Sequence, residues 1–323
     1  CKQIKYSKGD DKFVSTNIKS VLKNPLLLFL TLGHRGLFNW INDETYLKIT
    51  WYVRMHKKLN LDDPQTFNEK LQWMKLYDRR PEYTKMVDKY EAKKYVAEKI
   101  GEEIIIPTLG VWDCFDDIDF GDFPRQFVLK CTHDSGGIVI CRDKNKLDIQ
   151  AARKKINNCL KHNYFYGMRE WPYKNVKPRI IAEVYMSDNS CQDLRDYKFY
   201  CFAGTPRFLY ISQGLENHDT AQISFIDCDW NFSPYKRSDY APFETLTEKP
   251  EKFDEMMNLA AKLSENYPFL RVDLYQIKGK VYFSELTFFP CSGFMPFKDP
   301  RHDKEIGEMI KLPLKSIESN RKV

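Results

Sequence analysis

Hydrophobic and polar residues repeat with a helical period in the first third of the chain. Thr66 can cap a helix, and Glu69 follows three positions later, as in a capping box. Three apolar side chains after this cap fall on one face at helical spacing: Phe67, Leu71 and Met74. A second amphipathic stretch from about 83 to 100 stops at Gly101. The pattern predicts two helices, the first within a helical and mixed region over residues 1–80.

Short apolar runs, many with the two-residue alternation of β-strands, dominate the chain from residue 104 onward. The predicted strands are residues 104–106, 127–131, 138–141, 179–186, 197–202, 207–211, 270–276 and 281–287. Glycine-containing turns at 203–206 and 277–279 join the last four of these strands into two hairpins. Helical patterns cover 148–162 and 253–264. Helices mixed with hairpins predict an α+β fold with antiparallel sheets.

Composition narrows the class of protein. The 323 residues are 42% hydrophobic and 30% charged, which is the balance of an ordinary globular protein and not of a disordered one. The net charge is +6 and no block of Lys and Arg stands out, so we expect a mild preference for anionic ligands and no nucleic acid. The nine cysteines are scattered singly, which predicts a reducing compartment, the cytoplasm, and no cluster of zinc ligands.

No apolar run approaches the ~20 residues that a membrane-spanning helix needs. The nearest is residues 26–30 (LLLFL). This run predicts a buried helix. Docking onto a membrane surface is the alternative, and it would place the chain at the inner face of the membrane.

The first candidate for chemistry is a lysine at a strand end, followed by a loop of small residues. Lys130 ends the run 127–130, and Ser135, Gly136 and Gly137 follow. An ammonium group is a point charge for phosphate oxygens, and glycines let backbone N–H groups approach the same oxygens. This combination suits a polyphosphate. A hairpin loop with an exposed lysine explains the same residues, and the motif alone does not decide between them.

The last hairpin carries a second candidate. Strand alternation puts Arg271 and Asp273 on one face, and Glu285 and Thr287 on one face. A three-residue loop over 277–279 would set Arg271 opposite Glu285, with Asp273 diagonal to them, so that two carboxylates and a cation converge. Such oxygen ligands suit magnesium bridging phosphates. A two-residue loop would instead separate Asp273 from Glu285, and a surface salt bridge is the simpler alternative.

Two further polar residues lie within apolar strands. Glu183 comes near the end of the run 179–186, where an acceptor beside free backbone groups could hold a purine edge. Lys198 alternates with aromatic residues and shares a face with Asp196. Lys198 could contact a γ-phosphate or an acyl phosphate, but a cross-strand ion pair explains it equally well.

Taken in order, these elements resemble the ATP-grasp superfamily. The resemblance is carried by Asp88-Lys89 on a helix, Lys130 before the small-residue loop, Glu183 at a strand end, Asp273, and Glu285-x-Thr287 leading to Pro290 and Gly293. Residues 63–73 (DPQTFNEKLQW) and 85–90 (KMVDKY) resemble the branch named for teichuronopeptide biosynthesis, found among genes for bacterial surface and capsule polysaccharides. The resemblance covers about residues 45–300. It implies two α+β lobes with antiparallel sheets that clasp ATP, an N-terminal lobe over 81–186 and a C-terminal lobe over 187–323.

The resemblance implies a set of ATP contacts. Lys89 and Lys130 would contact the α- and β-phosphates. Ser135, Gly136 and Gly137 would lie in the loop over the phosphates.

The adenine would be read by a second set of residues. Glu183 would accept from the adenine amino group. The segment Val184, Tyr185 and Met186 would hold the ring, with backbone groups of the first and last.

The resemblance also implies a magnesium site. Asp273 and Glu285 would ligate Mg²⁺. In D-alanine–D-alanine ligase, a relative, Asn usually stands two residues after the metal-binding Glu. This chain has Thr287, whose hydroxyl is a weaker ligand than an amide carbonyl.

The implied reaction is that of a carboxylate–amine ligase acting through an acyl phosphate. Lys198 would contact the transferred phosphate, and Arg271 would stabilise the tetrahedral intermediate. Ser292 and Gly293 would help to position the substrate. The branch implies that an amino acid or peptide is joined to a uronic-acid carboxylate of a surface polysaccharide or its precursor.

Two other functions are alternatives to the ligase hypothesis. A glycosyltransferase would need a nucleotide-sugar site, and Asp227-Cys228-Asp229 has the spacing of its Asp-x-Asp motif, although an ordinary turn also fits. A non-catalytic polysaccharide-assembly protein could keep the fold without turnover, but intact Lys130, Asp273 and Glu285 count against it.

Overall fold

The structure is a computed structural model, and it describes residues 25–187, 194–214 and 221–313. Its helices are α1 (Pro25–His34), α2 (Asp43–Met55), α3 (Phe67–Tyr77), α4 (Glu82–Val87), α5 (Glu91–Ile100), α6 (Ile149–Leu160), α7 (Phe165–Met168), α8 (Phe253–Ser264) and α9 (Pro300–Glu308). The capping box predicted for α3 is confirmed, because Thr66 Oγ1 accepts from the Glu69 N–H at 3.2 Å and Glu69 Oε2 accepts from the Thr66 N–H at 3.1 Å.

The first sheet, sheet A, contains the strand that carries Lys130. Its strands are β1 (Thr108–Trp112), β2 (Phe127–Cys131), β3 (Ile138–Cys141) and β4 (Ile180–Val184), and they lie in the antiparallel order β1-β4-β2-β3. Phe127 and Leu129 of β2 alternate inward and pack with Ile156 of α6 in one core. The intervening positions, including Lys130, therefore face away from that core.

The second sheet, sheet B, carries the carboxylates. Its strands are β5 (Asp196–Phe202), β6 (Thr205–Gln213), β7 (Gln222–Asp227), β8 (Leu270–Ile277) and β9 (Lys280–Thr287), in the antiparallel order β7-β6-β5-β8-β9. Its apolar face shares a core with α8 and with helices α3 to α5, through residues such as Phe199, Met256 and Phe67. Two antiparallel sheets with helices confirm the predicted α+β class. The division at residues 80 and 186 stays a prediction.

The helix predicted from 83 to 100 is wrong, because the chain breaks between α4 and α5. Asp88 has an extended backbone, and its Oδ1 accepts from the N–H groups of Tyr90 and Glu91 at the start of α5. An aspartate that caps a following helix competes with continuation of the preceding one. Lys89, predicted to lie on a helix, therefore lies at the break, where its N–H donates to Thr132 O at 3.0 Å.

The strand predicted at 104–106 is also wrong. These residues form a turn before β1, although they are partly buried. Their carbonyls have partners elsewhere: Ile104 O accepts from the Phe283 N–H of β9, and Ile106 O accepts from Lys93 Nζ. The first of these bonds joins the approach to sheet A with an edge strand of sheet B.

The last hairpin turns over two residues and not over the predicted three. Ile277 pairs with Lys280, and the loop residues Lys278 and Gly279 have φ of 50° and 74°. These are the left-handed conformations of a tight hairpin turn. A β-bulge then leaves Ser284 of β9 unpaired. The residues of β9 after this bulge therefore lie on the face opposite to the one that the tight turn alone would give them.

Two findings concern the membrane and the cysteines. Within the described ranges, no helix is long and apolar enough to cross a membrane. The seven cysteines of those ranges are free thiols. The expectation that they form no cluster needs correcting, since the Sγ atoms of Cys131 and Cys159 and a carboxylate oxygen of Asp134 lie within 4.8 Å of one another. Cys131 and Asp134 already bond to backbone groups of the protein.

Candidate functional site

A buried lysine–glutamate cluster lies on sheet A. Glu183 of β4 binds Lys130 of β2 at 2.5 Å and also binds Lys93 of α5, and its side chain is 6% exposed. Glu183 and Lys130 belong to adjacent strands, and Glu183 pairs with Val128 in the ladder. We call Lys93, Lys130 and Glu183 the lysine cluster. Two ammonium groups share one carboxylate here, so the cluster carries an excess of positive charge.

Burial and charge act in opposite directions on these groups. Burial raises the pKa of Glu183, but Lys130 and Lys93 outweigh it, so the pKa is lowered overall. Burial lowers the pKa of Lys93, which Glu183 partly offsets. Glu183 therefore stays ionised and holds both ammonium groups in place.

The glycine loop 132–137 lies beside Lys89. The Lys89 ammonium donates to Asp134 O, and its backbone N–H donates to Thr132 O. The Gly137 N–H donates to Asp134 Oδ1 at 3.1 Å. A Cβ at Gly137 would lie 2.6 Å from the Cys131 sulfur, so this position excludes larger residues. The predicted loop between the two strands is confirmed. Its Gly137 N–H already donates to Asp134 and so is not free for a phosphate oxygen.

Arg179 fixes the helix break that presents Lys89. Its guanidinium binds Asp88 Oδ2 at 2.8 Å and Glu91 Oε1 at 3.1 Å, and it lies over the Tyr90 ring. The Thr132 N–H donates to Arg179 O. The start of α5 and the glycine loop are thus held by the same residue.

A second charged cluster lies on sheet B. Asp273 is fully buried and pairs with Glu285 across β8 and β9. Arg271 donates to both oxygens of Asp273, at 2.7 and 2.6 Å, and to Glu285 Oε1 at 2.7 Å. Lys198 of β5 donates to Asp273 at 2.6 Å and to Asp196. We call these five residues the carboxylate cluster, in which three carboxylates share two cations.

The predicted convergence of Asp273 and Glu285 is confirmed, but by a different register. Arg271 faces Thr287, and Asp273 faces Glu285. The two-residue turn alone would have separated the carboxylates. The extra residue at Ser284 returns Glu285 to the face of Asp273, so two departures from the predicted geometry cancel.

The two facing carboxylates have pKa values shifted in opposite directions. Burial is the main cause that raises the pKa of Asp273 to about 6, and Arg271 and Lys198 oppose it. Burial also acts to raise the pKa of Glu285, but Lys198, Arg271 and Lys89 lower it to about 2. Ionised carboxylates cannot share a small space at no cost, and opposite shifts are typical of functional pairs.

Lys89 connects the two clusters. Its charge lowers the pKa of Glu285 in sheet B, while its ammonium and N–H bond to the glycine loop of sheet A. The Glu285 side chain is 45% exposed, so it is open to a ligand, whereas Asp273 is not. Lys89 is therefore bonded to the glycine loop of sheet A and also acts electrostatically on Glu285 of sheet B.

The residues predicted to hold adenine lie at the end of β4. Glu183 does not present a free acceptor, because both its oxygens bind lysines. The Val184 N–H donates to Pro107 O at 3.1 Å. Tyr185 and Met186 lie beyond the strand and, like Val184, are partly exposed.

The predicted substrate residues lie in a strained turn, Pro290–Gly293, directly after β9. Cys291, Ser292 and Gly293 have φ of 50°, 52° and 67°, and non-glycine residues adopt this conformation at a cost. Ser292 Oγ donates to Glu170 Oε1 at 2.5 Å. Lys75 Nζ donates to Ser292 O at 2.8 Å. The turn is thus held from beneath by buried polar groups.

Lys75 is a buried cation that the sequence did not single out. Its ammonium also donates to Gln72 Oε1 and Met168 O, at 3.1 and 3.0 Å. Burial lowers its pKa to about 7, although Glu170 opposes this shift. Lys93 was missed as well. Lys93 lies four residues after Lys89, and a lysine among the apolar positions of an amphipathic helix is the signal that could have found it.

The Asp-x-Asp spacing at 227–229 forms a turn. Asp227 Oδ1 accepts from the N–H groups of Asp229 and Asn231, at 3.0 and 2.8 Å. An aspartate used in this way is a common turn residue.

Comparison with known proteins places these features in a family. Residues 69–311 match the model of the family described as TupA-like ATPgrasp. The chain belongs to the TupA-like ATP-grasp family. The match includes both clusters, the glycine loop and the strained turn, and begins after α2. No curated protein sequence matches the chain.

Several solved structures are similar to parts of this TupA-like chain. The D-alanine–D-alanine ligase from Bacillus anthracis complexed with ATP has 16% identity and a TM-score of 0.36, covering 63% of this chain and 55% of that one. The phosphoribosylamine–glycine ligase from Thermotoga maritima has 16% identity and a TM-score of 0.34, covering 64% and 48%. The biotin carboxylase from Campylobacter jejuni, in complex with β-γ-ATP, has 12% identity and a TM-score of 0.38, covering 71% and 48%. The chain spans about half the length of these three proteins.

Proposed function

We propose that this chain is an ATP-dependent carboxylate–amine ligase. The observation that carries the proposal is that Lys89 bonds to the glycine loop beside the positive cluster of sheet A, while its charge acts on Glu285 in the negative cluster of sheet B. Membership of an ATP-grasp family supports ATP as the ligand of the cleft between them. A triphosphate with a divalent cation has the complementary charges, because phosphate oxygens suit the lysines and the cation suits the carboxylates.

The phosphates would be bound by Lys89, Lys130 and the glycine loop. Lys130 is 26% exposed even though it binds Glu183, so its ammonium can also reach a ligand. Lys93 is 11% exposed and is a positioning partner. Ser135 and Gly136 lie at the tip of the loop, where their backbone groups would cover the phosphates.

The residues of the carboxylate cluster fit a magnesium ion. Asp273 and Glu285 supply hard oxygen donors from facing strands, and a carboxylate pair has more lone-pair sites than Arg271 and Lys198 use. Mg²⁺, when bound there, would neutralise charge that develops on the phosphate oxygens. Thr287 Oγ1 accepts from Arg271 at 3.0 Å and contacts Glu285 at 3.3 Å, so we assign it to orienting these two groups.

The adenine is assigned to the end of β4. Since the Glu183 carboxylate holds two lysines, the purine edge would be read by backbone groups of Tyr185 and Met186 beyond the ladder. Val184 then contributes its side chain and not its N–H. This assignment revises the roles that the resemblance implied.

The reaction proposed is a phosphoryl transfer followed by an acyl transfer. An oxygen of the substrate carboxylate attacks the γ-phosphorus, ADP leaves, and an acyl phosphate forms. A neutral amine then attacks the acyl carbon, phosphate leaves, and an amide forms with loss of a proton. Lys198 and Arg271 are fixed by buried carboxylates, and such pre-oriented cations stabilise developing negative charge without reorganisation.

The substrates proposed are a uronic-acid carboxylate and the amine of an amino acid or peptide, in bacterial surface-polysaccharide biosynthesis. The TupA-like family name suggests this teichuronopeptide branch. Contact with the membrane surface stays a prediction. Exposed apolar side chains near the N-terminal side that could make it are Leu28, Leu37 and Trp40, of which Trp40 is 81% exposed. Co-sedimentation of wild type and Trp40→Ser with anionic vesicles would test it.

An ADP-release screen tests the reaction class. Purified protein is incubated with ATP and Mg²⁺, and pairs of amino acids and uronic acids are varied. We expect ADP release that requires both partners and an amide product by mass spectrometry. Release of nucleoside diphosphate from a nucleotide sugar would favour the glycosyltransferase. Absence of ATP binding by calorimetry, with Mg²⁺ present, would favour the non-catalytic assembly protein.

A further inference from the structure

A cavity of about 490 Å³ lies beside the proposed ATP site and is not used by the function described so far. Its size is within the roughly 300–1,000 Å³ typical of small-molecule pockets. Two of its walls come from elements of the ATP site. Asp134 belongs to the glycine loop that binds Lys89, and Cys291 and Ser292 follow the strand that carries Glu285. The cavity therefore borders both the glycine loop and the turn that follows the strand of Glu285.

Positive charge dominates this cavity. Arg35, Arg54 and Lys155 line it, together with His34 and His162. Among the residues of the described ranges that line it, Asp134 is the sole carboxylate. Because the cations come from α2, from α6 and from the residue after α1, the fold has collected them from distant parts of the chain.

The wall that holds His34 and Arg54 is closely packed. Gly167 leaves room for the His34 ring, since a Cβ there would lie 2.7 Å from His34 Nδ1. Arg54 donates to the Met168 sulfur at 3.8 Å and lies over the Phe294 ring, 4.8 Å from its centre. Such packing fixes the position of a guanidinium before a ligand arrives.

We propose that this cavity binds the acceptor of the ligase reaction, and that the acceptor is a saccharide with at least two negative charges. One carboxylate would react at the ATP site, and a second anionic group would pair with Arg35 and Lys155. Guanidinium and ammonium groups suit carboxylates or phosphates. Tyr164, which also lines the cavity, offers a ring against which a sugar can pack. This inference rests on the proposed function.

Direct binding tests the inference without requiring turnover. Calorimetry with a non-hydrolysable ATP analogue and Mg²⁺ would compare galacturonate, digalacturonate and galacturonate 1-phosphate. We expect digalacturonate and galacturonate 1-phosphate each to bind about tenfold more tightly than galacturonate, since each has a second anionic group that can form a charge-assisted contact. These two ligands, which we call the dianions for their two anionic groups, distinguish a second carboxylate from a phosphate. Equal affinity of all three sugars would overturn the proposal.

Variants locate the site. Arg35→Ser and Lys155→Ser should each remove most of the preference for the dianion, and Arg35→Lys should retain part of it. Both side chains are exposed, so their loss should not affect folding. Lys154→Ser is the matched control, because Lys154 is the exposed neighbour on α6 that does not line the cavity. Unchanged preference in both test variants would contradict the assignment.

The result can be separated from the ligase proposal. If the dianions bind through Arg35 and Lys155 but no pair of substrates releases ADP, the ligase reaction fails and the anion pocket remains. If ADP release requires an acceptor and is unaffected by Arg35→Ser and Lys155→Ser, the pocket fails and the ligase remains.

Discussion

The two sheets each carry a buried charged cluster, and their charge balance is opposite. On sheet A, Lys93 and Lys130 share the single carboxylate of Glu183. On sheet B, Lys198 and Arg271 share three carboxylates. Each cluster taken alone is a structural ion-pair network. The two networks differ in the sign of their net charge, because one has cations in excess and the other has anions in excess.

The two clusters also differ in how they should respond to the loss of one residue. The lysine cluster depends on one residue, since both ammonium groups bind Glu183. The carboxylate cluster distributes its bonds, since Arg271 contacts Asp273, Glu285 and Thr287. Loss of one residue should therefore affect stability more on sheet A, and chemistry more on sheet B.

The largest effect is expected at Glu285. Glu285→Gln keeps the shape but removes a half-exposed charge, so turnover should fall by about 10²–10³-fold with little change in ATP affinity. ADP release and calorimetry measure the two quantities. Glu255→Gln, at a surface pair with Lys252, is the control and should leave both unchanged. A matching loss in the control would show that the effect is not specific to the site.

The second effect concerns stability. Glu183→Gln leaves two largely buried ammonium groups without their shared carboxylate, and removal of one partner from a buried pair costs about 3 kcal/mol or more. Urea unfolding of the two proteins measures the difference. The surface change Glu255→Gln should cost less than about 1 kcal/mol. An equal cost for the two changes would contradict the description of Glu183 as a buried anchor.

A smaller effect is expected for Lys130→Met. ATP affinity should fall by about tenfold, because one charge-assisted contact to phosphate is lost while Lys93 still pairs with Glu183. Calorimetry with the Mg²⁺-bound nucleotide measures it. Lys146→Met, at an exposed lysine outside the lysine cluster, is the control. Should Lys130→Met reduce turnover and leave ATP affinity intact, the division of roles between the two clusters would be reversed.

The smallest effect is a dependence of stability on pH. Asp273 has a pKa of about 6 in the folded protein and 3.8 as its ordinary value. Between these two values, Asp273 keeps its proton in the folded state and has lost it in the unfolded state. The contribution of Asp273 to the free energy of unfolding is therefore fully present below about pH 4 and is lost as the pH rises to about 6. Urea unfolding without metal should show this loss in the wild type. In Glu285→Gln, where the neighbouring charge is gone, the loss should be roughly 1 kcal/mol smaller. Identical pH profiles would argue against coupling of the two carboxylates.

The fold class and the order of site elements could be predicted because they depend on local patterns. Lys130, Asp273 and Glu285 each lie in a short strand with clear alternation, so their faces were readable from the sequence. The register of the hairpin β8–β9 could not be predicted from the sequence. The tight turn at Lys278 and Gly279 and the bulge at Ser284 each reverse the strand face, and a bulge has no reliable local signal.

Residues that act through long-range packing were missed for a different reason. Lys93 is recognisable only when Glu183, ninety positions later, lies beside it. Lys75 and Glu170 meet at a turn more than a hundred residues beyond either of them. The prediction of one helix through Asp88 was wrong because the Asp88 side chain bonds to backbone N–H groups at the start of the next helix. The spacing of apolar residues does not reveal such a bond.

The turn Pro290–Gly293 has an inner and an outer side. Its carbonyls face inward and are held by Lys75 and Gln72, while the Cys291 and Ser292 residues border the acceptor cavity. The backbone of these four residues therefore anchors the turn, while its other side is available to contact the acceptor. Exchange of Cys291 for other side chains can retune selectivity among acceptors while the backbone is kept in place, which makes this position the natural starting point for redesign.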